Sequence, residues 1–563
     1  MRQHRTPRLL GTLLLVVAAG ISVVGAAPSA AGRTATPLGQ VIPAPASVDA
    51  GGSPYRITSS TRIRVDDSRE ARRIGSYLAD VLRPSTGYRL PVTDDGGGDG
   101  IRLQLSRKDS ALGAEGYRLK SGKGAVTITA REPAGLFHGV QTLRQLLPAA
   151  VEKDSVQPGP WPVAGGTITD TPRYGYRGAM LDVSRHFFGV DQVKRYIDQL
   201  ALYKVNTLHL HLSDDQGWRI AIDSWPRLAS YGGSTQVGGG AGGFYTKAQY
   251  KEIVRYASSR FLEVVPEIDM PGHTNAALAS YAELNCDGVA PPLYTGTEVG
   301  FSSLCVGKPV TYDFVDDVIR ELAAITPGRY IHIGGDEAHS TPHEDFVEFM
   351  TKVQPVVAKY GKKVMGWHQL TGATPAKGAL AQYWGLDDTN AAEKEQVAAA
   401  ARNGTGLVLS PADRVYLDMK YNADTPLGLD WAGLVEVKRS YDWDPGNYLA
   451  GVPGSAVRGV EAPLWTETLA TSANLDYMAF PRLPGVAELG WSPASTHDWD
   501  TYKVRLAAQA PRWDAMGTGY YRSSQVPWPP PSSWGVVDAR QVNTAAGAPW
   551  DRTWGTPACL WGL

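Results

Sequence analysis

Cysteine is scarce, with three in 563 residues. That is too few for a cross-linked framework, so packed cores must supply the stability, and the length suffices for two or three domains. An excess of charge is also missing. The formal net charge is −1, and no basic or acidic block points to nucleic acid or an anionic membrane as partner. Long apolar runs are absent beyond the first 31 residues, where a membrane span would need roughly 20 apolar positions. No Gly-rich phosphate loop is present. Neither a cofactor nor a metal is expected.

The N-terminus itself reads M-R-Q-H-R-T-P-R, then an apolar run, then small residues near Ala30 and Ala31. A basic start, an apolar centre and small residues form a signal peptide, here 1–31, so the mature protein is expected to be secreted and free of the membrane. A single-span anchor is the alternative, but the flank Gly32-Arg33-Thr34 is unlike a stop-transfer segment. Export permits disulfides. Cys286 and Cys305 bracket a loop rich in Pro and Gly and are expected to pair, leaving Cys559 over.

What the chain does have is order. Residues 38–168 mix short β-rich runs (61–65, 101–105, 125–129) with helical patterns at 68–82 and 135–147, which suggests a small α+β domain. D-D-G-G-G-D-G at 94–100 is a turn, and Asp170-Thr171-Pro172 a linker. From 174 to 520 apolar runs alternate with helical stretches. The runs are 179–183, 207–212, 262–268, 330–333, 363–367, 380–384, 407–409 and 460–465. Among the helical stretches, T-K-A-Q at 246 and T-P-H-E at 341 read as capping boxes, the second with Pro at the first helical position. A helix over 389–403 should end at Gly404, and terminal helices are expected at 473–478 and 499–516. Eight strand–helix units fit a (β/α)8 barrel, with a doubly wound open sheet as runner-up. After 525 the sequence turns to Pro, Gly and Trp without periodicity, and a loosely attached tail is expected.

A barrel places its chemistry just after the strands. The eight runs are followed in turn by Arg185; Asp214 and Asp215; Asp269 and His273; Asp336 and Glu337; Trp367; Trp384; Tyr416 and Asp418; and W-T-E from Trp465 to Glu467. Adjacent carboxylates at the end of an apolar strand are costly to desolvate. Gly334-Gly335 lets the chain leave strand geometry so that both reach one cavity. The bland reading, a helix N-terminus facing the dipole, weakens once every strand end carries Arg, acid, His, Tyr or Trp. Carboxylates with several tryptophans suit a sugar. Yet neighbours on one strand end are poorly placed to act on opposite faces of a glycoside.

The motif H-I-G-G-D-E-A-H at 332–339 resembles the signature of the β-N-acetylhexosaminidases of glycoside hydrolase family 20. So do L-D-V-S-R-H-F (181–187), H-L-S-D-D-Q-G-W-R (211–219), E-I-D-M-P-G-H (267–273) and, in the first domain, G-L-F-H-G-V-Q-T-L-R-Q-L-L-P (135–148). The resemblance runs from about 38 to about 520 and is closest to the secreted bacterial type. It implies exo hydrolysis of a terminal N-acetylhexosamine, with the substrate's own 2-acetamido group as nucleophile and an oxazolinium intermediate. By the same resemblance Glu337 is the general acid and then base. Asp336 orients the acetamido N–H, and Tyr416 binds its carbonyl. Trp367, Trp384 and Trp465 wall the acetamido pocket, and Trp431 stacks on the sugar. Arg185, Asp418 and Glu467 bind hydroxyls, while Asp214, Asp269 and His273 support Glu337. The partner implied is an oligosaccharide, and the protein is expected to be a monomer. Two rivals stay open: a non-catalytic sugar-binding protein, and a metal-dependent hydrolase built on His209-Leu210-His211, an H-x-H with both rings on one strand face.

Overall fold

Eight parallel strands close into a barrel. They are β1 (Tyr176–Asp182), β2 (Thr207–His211), β3 (Glu263–Glu267), β4 (Tyr330–His332), β5 (Lys363–Trp367), β6 (Leu380–Tyr383), β7 (Gly406–Leu409) and β8 (Val457–Leu464). β1 pairs with both β2 and β8, which closes the ring and excludes the open sheet. The computed structural model describes residues 35–94 and 98–531. The N-terminal apolar segment, part of the turn at 94–100, Cys559 and most of the Trp-rich tail lie outside the described residues.

Helices cover the outer face, so strand residues are buried on both sides and read as continuous apolar runs. Their ends follow local chemistry. Thr246 caps the helix Lys247–Ser259 reciprocally with Gln249, as expected. The box at 341–344 does not form. The Thr341 hydroxyl pairs instead with Ser303 Oγ at 2.6 Å, Pro342 occupies the cap position, and the helix begins at His343. The stretch 499–516 is two helices, Trp499–Ala507 and Ala510–Met516, because Pro511 lacks the N–H that would continue the first.

The barrel interior is layered. Tyr176, Val265, Met365, Leu380 and Val408 form an apolar plug toward the strand N-termini. Above it, at mid-height, lies a polar layer of His209, Glu267, His332, Gln382 and Glu461, all fully buried. A cluster with Met180, Trp367, Tyr416 and Trp465 closes the top.

Ahead of the barrel, seven strands form a mixed sheet, antiparallel at one end and parallel at the other. Two helices pack on it. Arg69–Thr86 is capped by Ser68 and closed by Gly87. Pro133–Leu146 is buried all round over residues 135–146, because it is wedged between its own sheet and the barrel. Buried ion pairs stitch the two bodies. Glu115 takes Arg177 of β1, Asp170 takes Lys204 at 3.4 Å, and Glu152 takes Arg512 from the last barrel helix.

The expected loose tail is corrected at its start. Val526 is buried, and the Trp528 ring lies 5.4 Å from Tyr520 and 6.0 Å from Trp513. Apolar area outweighs the absence of periodicity here.

Candidate active site

A cavity of about 370 Å³ opens at the C-terminal mouth of the barrel. Arg185, His273, Asp336, Glu337, Trp384, Tyr416, Asp418, Trp431, Trp465 and Glu467 line it, together with Thr297, Val299, Leu429 and Asp430.

The turn after β4 explains how two neighbouring acids share it. Gly334 has φ +67° and Gly335 φ +104°, and Glu337 itself sits at φ +43°. A Cβ on Gly334 would lie 1.7 Å from Asp269 Oδ1, so only glycine fits there. Neither acid faces the N-terminus of the next helix, which begins only at His343. Both converge on one imidazole: His273 Nε2 is 3.4 Å from Glu337 Oε2 and 3.8 Å from Asp336 Oδ2. The two therefore share a wall and do not straddle a sugar ring.

Behind Glu337 runs a relay. His273 Nδ1 meets Asp214 Oδ1 at 3.1 Å, and Asp214 Oδ2 meets Arg185 at 2.9 Å and His211 Nε2 at 2.7 Å. Burial alone would raise the Asp214 pKa, but Arg185 and His273 hold it well below the usual carboxylate range. His273 is pushed well above the ordinary histidine range: Asp214 and Asp336 outweigh its burial.

Asp269 is a correction. It serves Asp336, not Glu337. Its Oδ1 accepts the Gly335 N–H at 3.1 Å, and its charge and that of Asp336 oppose each other. Burial and then Asp336 raise the Asp269 pKa well above the usual range. Burial, with Glu337 adding to it, also raises that of Asp336, against the pull of His273.

On the opposite side, Tyr416 stands between Trp465 and Trp431, at ring distances of 6.1 and 5.9 Å. Trp384 meets Trp431 edge-on at 6.0 Å and is fixed by Gln369 through its indole N–H. Trp431 is 44% exposed, at the rim. Trp367 departs from expectation: it is fully buried and lies behind the wall, 5.7 Å from Trp465. Arg185 lies 5.0 Å over the Trp465 ring. Asp418, buried, and Glu467, half-buried, form a second acid pair. Burial and the charge of Glu467 raise Asp418 well above the usual range, and burial pushes Glu467 up to about 7 despite Arg185.

Sequence reasoning gave Asp182, Gln216 and Asp215 no role, yet they organise the site. Asp182 Oδ1 accepts the N–H groups of Ser184 and Arg185, and its Oδ2 that of Thr466, tying the ends of β1 and β8 together. Gln216 holds Arg185 Nε at 3.2 Å and the Gly296 carbonyl at 2.9 Å. Asp215 accepts from Ser302 and Asn275, anchoring the loop that supplies Thr297 and Val299. Cys286 and Cys305 are disulfide-bonded and close that loop. An Asx turn at Asp182 and a second acid at Asp215 were visible signals; the loop partners, distant in sequence, were not.

The H-x-H is explained differently from a metal site. His209, Glu267 and His332 come within ligating distance of one another. However, both ring nitrogens of His209 face carboxylates, Glu461 at 2.8 Å and Glu267 at 3.0 Å. An imidazole that donates from both nitrogens has no lone pair left for a metal.

A model of the glycosyl hydrolase family 20 catalytic domain matches residues 174–345 and 340–494, and that family's domain 2 matches residues 39–171. The chain belongs to glycosyl hydrolase family 20. This family 20 chain is 43% identical over 496 residues to a β-N-acetylhexosaminidase of Cellulomonas fimi, covering 88% of this chain and 98% of that one. It is 78% identical to the GH20 β-N-acetylhexosaminidase structure from Streptomyces coelicolor A3(2), with a TM-score of 0.87 over 88% of this chain and 100% of the other. It is 79% identical to a mutant Streptomyces plicatus β-hexosaminidase in complex with product (GlcNAc), again with a TM-score of 0.87, covering 89% of this chain and 100% of that one. The family 20 models account for the barrel and its preceding small domain, and the helices Trp499–Ala507 and Ala510–Met516 follow the matched residues.

Proposed function

We infer that this glycoside hydrolase is an exo-acting β-N-acetylhexosaminidase working by substrate assistance. One observation carries the reading. The cavity gathers tryptophan faces around buried polar atoms that have no hydrogen-bond partner within the protein: Asp336 Oδ1 and both Asp418 oxygens. Such groups are costly to leave unmade, and a sugar with hydroxyls and an acetamide supplies the matching donors and acceptors.

In the first step the acetamido carbonyl oxygen attacks C1. The C1–O bond to the leaving group breaks, and the Glu337 carboxylic proton passes to the departing oxygen. Asp336 accepts the acetamido N–H and balances the positive charge of the oxazolinium ion, while Tyr416 donates to the acetamido oxygen. In the second step Glu337, now a carboxylate, takes a proton from water as the water attacks C1 and reopens the ring. Two displacements retain the anomeric configuration. Trp384 and Trp465 enclose the acetamide, with Trp367 backing them, and Trp431 offers a face to the sugar. Arg185, Asp418 and Glu467 meet its hydroxyls. Chitooligosaccharides and glycans ending in N-acetylglucosamine or N-acetylgalactosamine are the proposed substrates. The apolar N-terminal segment and the disulfide support a protein exported through a signal at 1–31 and acting outside the cell.

The test compares nitrophenyl N-acetylglucosaminide with the glucoside lacking the 2-acetamido group, and follows the product anomer by NMR. Hydrolysis of the first alone, with retention and strong inhibition by a thiazoline mimic, is expected. Comparable turnover of both, or a sugar ester trapped on Asp336 or Glu337, would overturn the mechanism.

A further inference from the structure

The polar layer at mid-height of the barrel plays no part in substrate contact, yet it joins the site. From Glu461 the path runs to His209 at 2.8 Å, to Glu267 Oε2 at 3.0 Å, to His211 Nδ1 at 2.5 Å and to Asp214 at 2.7 Å. From Asp214 it enters the His273–Glu337 relay. Carboxylates and imidazoles alternate along its whole length. Glu461 is also fed by the Tyr176 hydroxyl and by Gln382 Nε2, the latter at 2.8 Å.

We infer that Glu267 is a positioning residue for the hydrolysis: by holding His211 as a permanent imidazolium against Asp214, it sets the proton affinity of the His273–Glu337 pair. The stereochemistry assigns the charge. His211 has a carboxylate on each ring nitrogen, Glu267 on Nδ1 and Asp214 on Nε2. A neutral ring carries one N–H and would point a lone pair at a buried carboxylate; only the imidazolium satisfies both. The same holds for His209. Burial alone would lower both rings, but the carboxylates raise His209 to about 9 and His211 well above the ordinary range. His332 differs: its Nδ1 receives the Gly334 N–H at 3.1 Å and so makes no hydrogen bond to Glu267 Oε1, and burial lowers this ring.

The consequence lies at Asp214. It is shared by three cationic groups, Arg185, His211 and His273. Two of these are permanent, so His273 faces a carboxylate already largely neutralised. Besides Glu267 and Asp214, His211 faces Trp465 edge-on at 4.8 Å, which brings no charge, and Asp269 within 4.8 Å, whose carboxyl burial and Asp336 hold well above the usual range. Toward the site, His273 meets Asp336 and Glu337, with Asp215 and Asp269 just beyond. Without the His211 charge every proton on the His273–Glu337 pair would be bound more tightly, whichever of the two carries it.

This inference rests on Glu337 as acid and base, but its first test does not. Neutron diffraction from deuterated wild-type crystals at pH 8 should show deuterium on both nitrogens of His209 and of His211. A single deuteron on His211 would overturn the proposal even if the glycosidase reading stands. The second test is Glu267→Gln, read as the pH profile of kcat/KM. Removing the imidazolium–carboxylate dipole, whose positive end lies nearer Asp214, should move both limbs to higher pH by roughly 0.5–1 unit. A soluble, folded Glu267→Gln enzyme with lower activity and unmoved limbs would show a merely structural role. Should that variant fail to fold, the neutron result decides alone.

Discussion

Glu337→Gln separates proton donation from every other role of this residue. The side chain is 30% exposed and meets His273 Nε2 at 3.4 Å. Gln preserves volume, and its amide oxygen can still accept that N–H, so the positive-φ backbone is untouched. Loss of a partly exposed ion pair should cost less than about 1 kcal/mol of stability. The chemistry should suffer far more. A positioned general acid contributes roughly 10²–10⁴-fold, or about 3–5 kcal/mol of barrier. That full loss should appear in kcat/KM for chitobiose, whose leaving sugar alkoxide needs a proton. For a nitrophenyl leaving group, which departs without much protonation, the fall in kcat/KM should be at least tenfold smaller. Its kcat should still drop, because the same carboxylate activates water in the second step. Rates on both substrates, with a thermal melt as control, make the assay. An equal fall in kcat/KM for both, or a melt shifted as far as the rate, would refute the argument.

Three further outcomes are expected. Gly334→Ala should lower kcat about 10²-fold, because its Cβ would meet the backbone Cα of Asp269 at 2.7 Å as well as the carboxylate, and no rotamer relieves that; a fully active variant would refute the reading of the turn. Glu467 is raised to about 7, so the folded state binds its proton more tightly than the unfolded chain, and this contribution is present below about 4.5 and lost as pH rises through 7; Glu467→Gln should therefore recover on the order of 1–3 kcal/mol of stability at pH 8 relative to pH 4 in denaturant titrations while weakening substrate binding. Truncation after residue 524 should cost about 2–4 kcal/mol through loss of Val526 and Trp528, read as a lower melting temperature.

Much of this was legible because barrel strands end abruptly. An apolar run followed by Asp336-Glu337 or by Trp465-Thr466-Glu467 marks a strand and its mouth together. Position along a strand does not reveal depth, however. Trp367 ends β5 just as Trp384 follows β6, yet one lies behind the wall and the other on it. Nor do motifs name partners. Asp269 and His273 stand in one motif, yet His273 meets both acids while the turn at Gly334 brings Asp269 against Asp336. Thr341 looked like a cap, and a serine 38 residues away took its hydroxyl. The His–Glu layer was hidden most thoroughly: Glu267 and Glu461 sit within strands, where sequence alone offers no cue that a carboxylate points inward to an imidazole.

The ion pairs between the small domain and the barrel bear on modularity. Arg177 and Lys204 are barrel residues whose counter-charges, Glu115 and Asp170, belong to the preceding domain or its final strand. A barrel expressed alone would lose both anions and uncover the surface against which the helix Pro133–Leu146 is buried. The first domain is therefore no detachable accessory. The two bodies should melt in one calorimetric transition, and a chimera that exchanges the small domain must carry Glu115, Glu152 and Asp170 across with it.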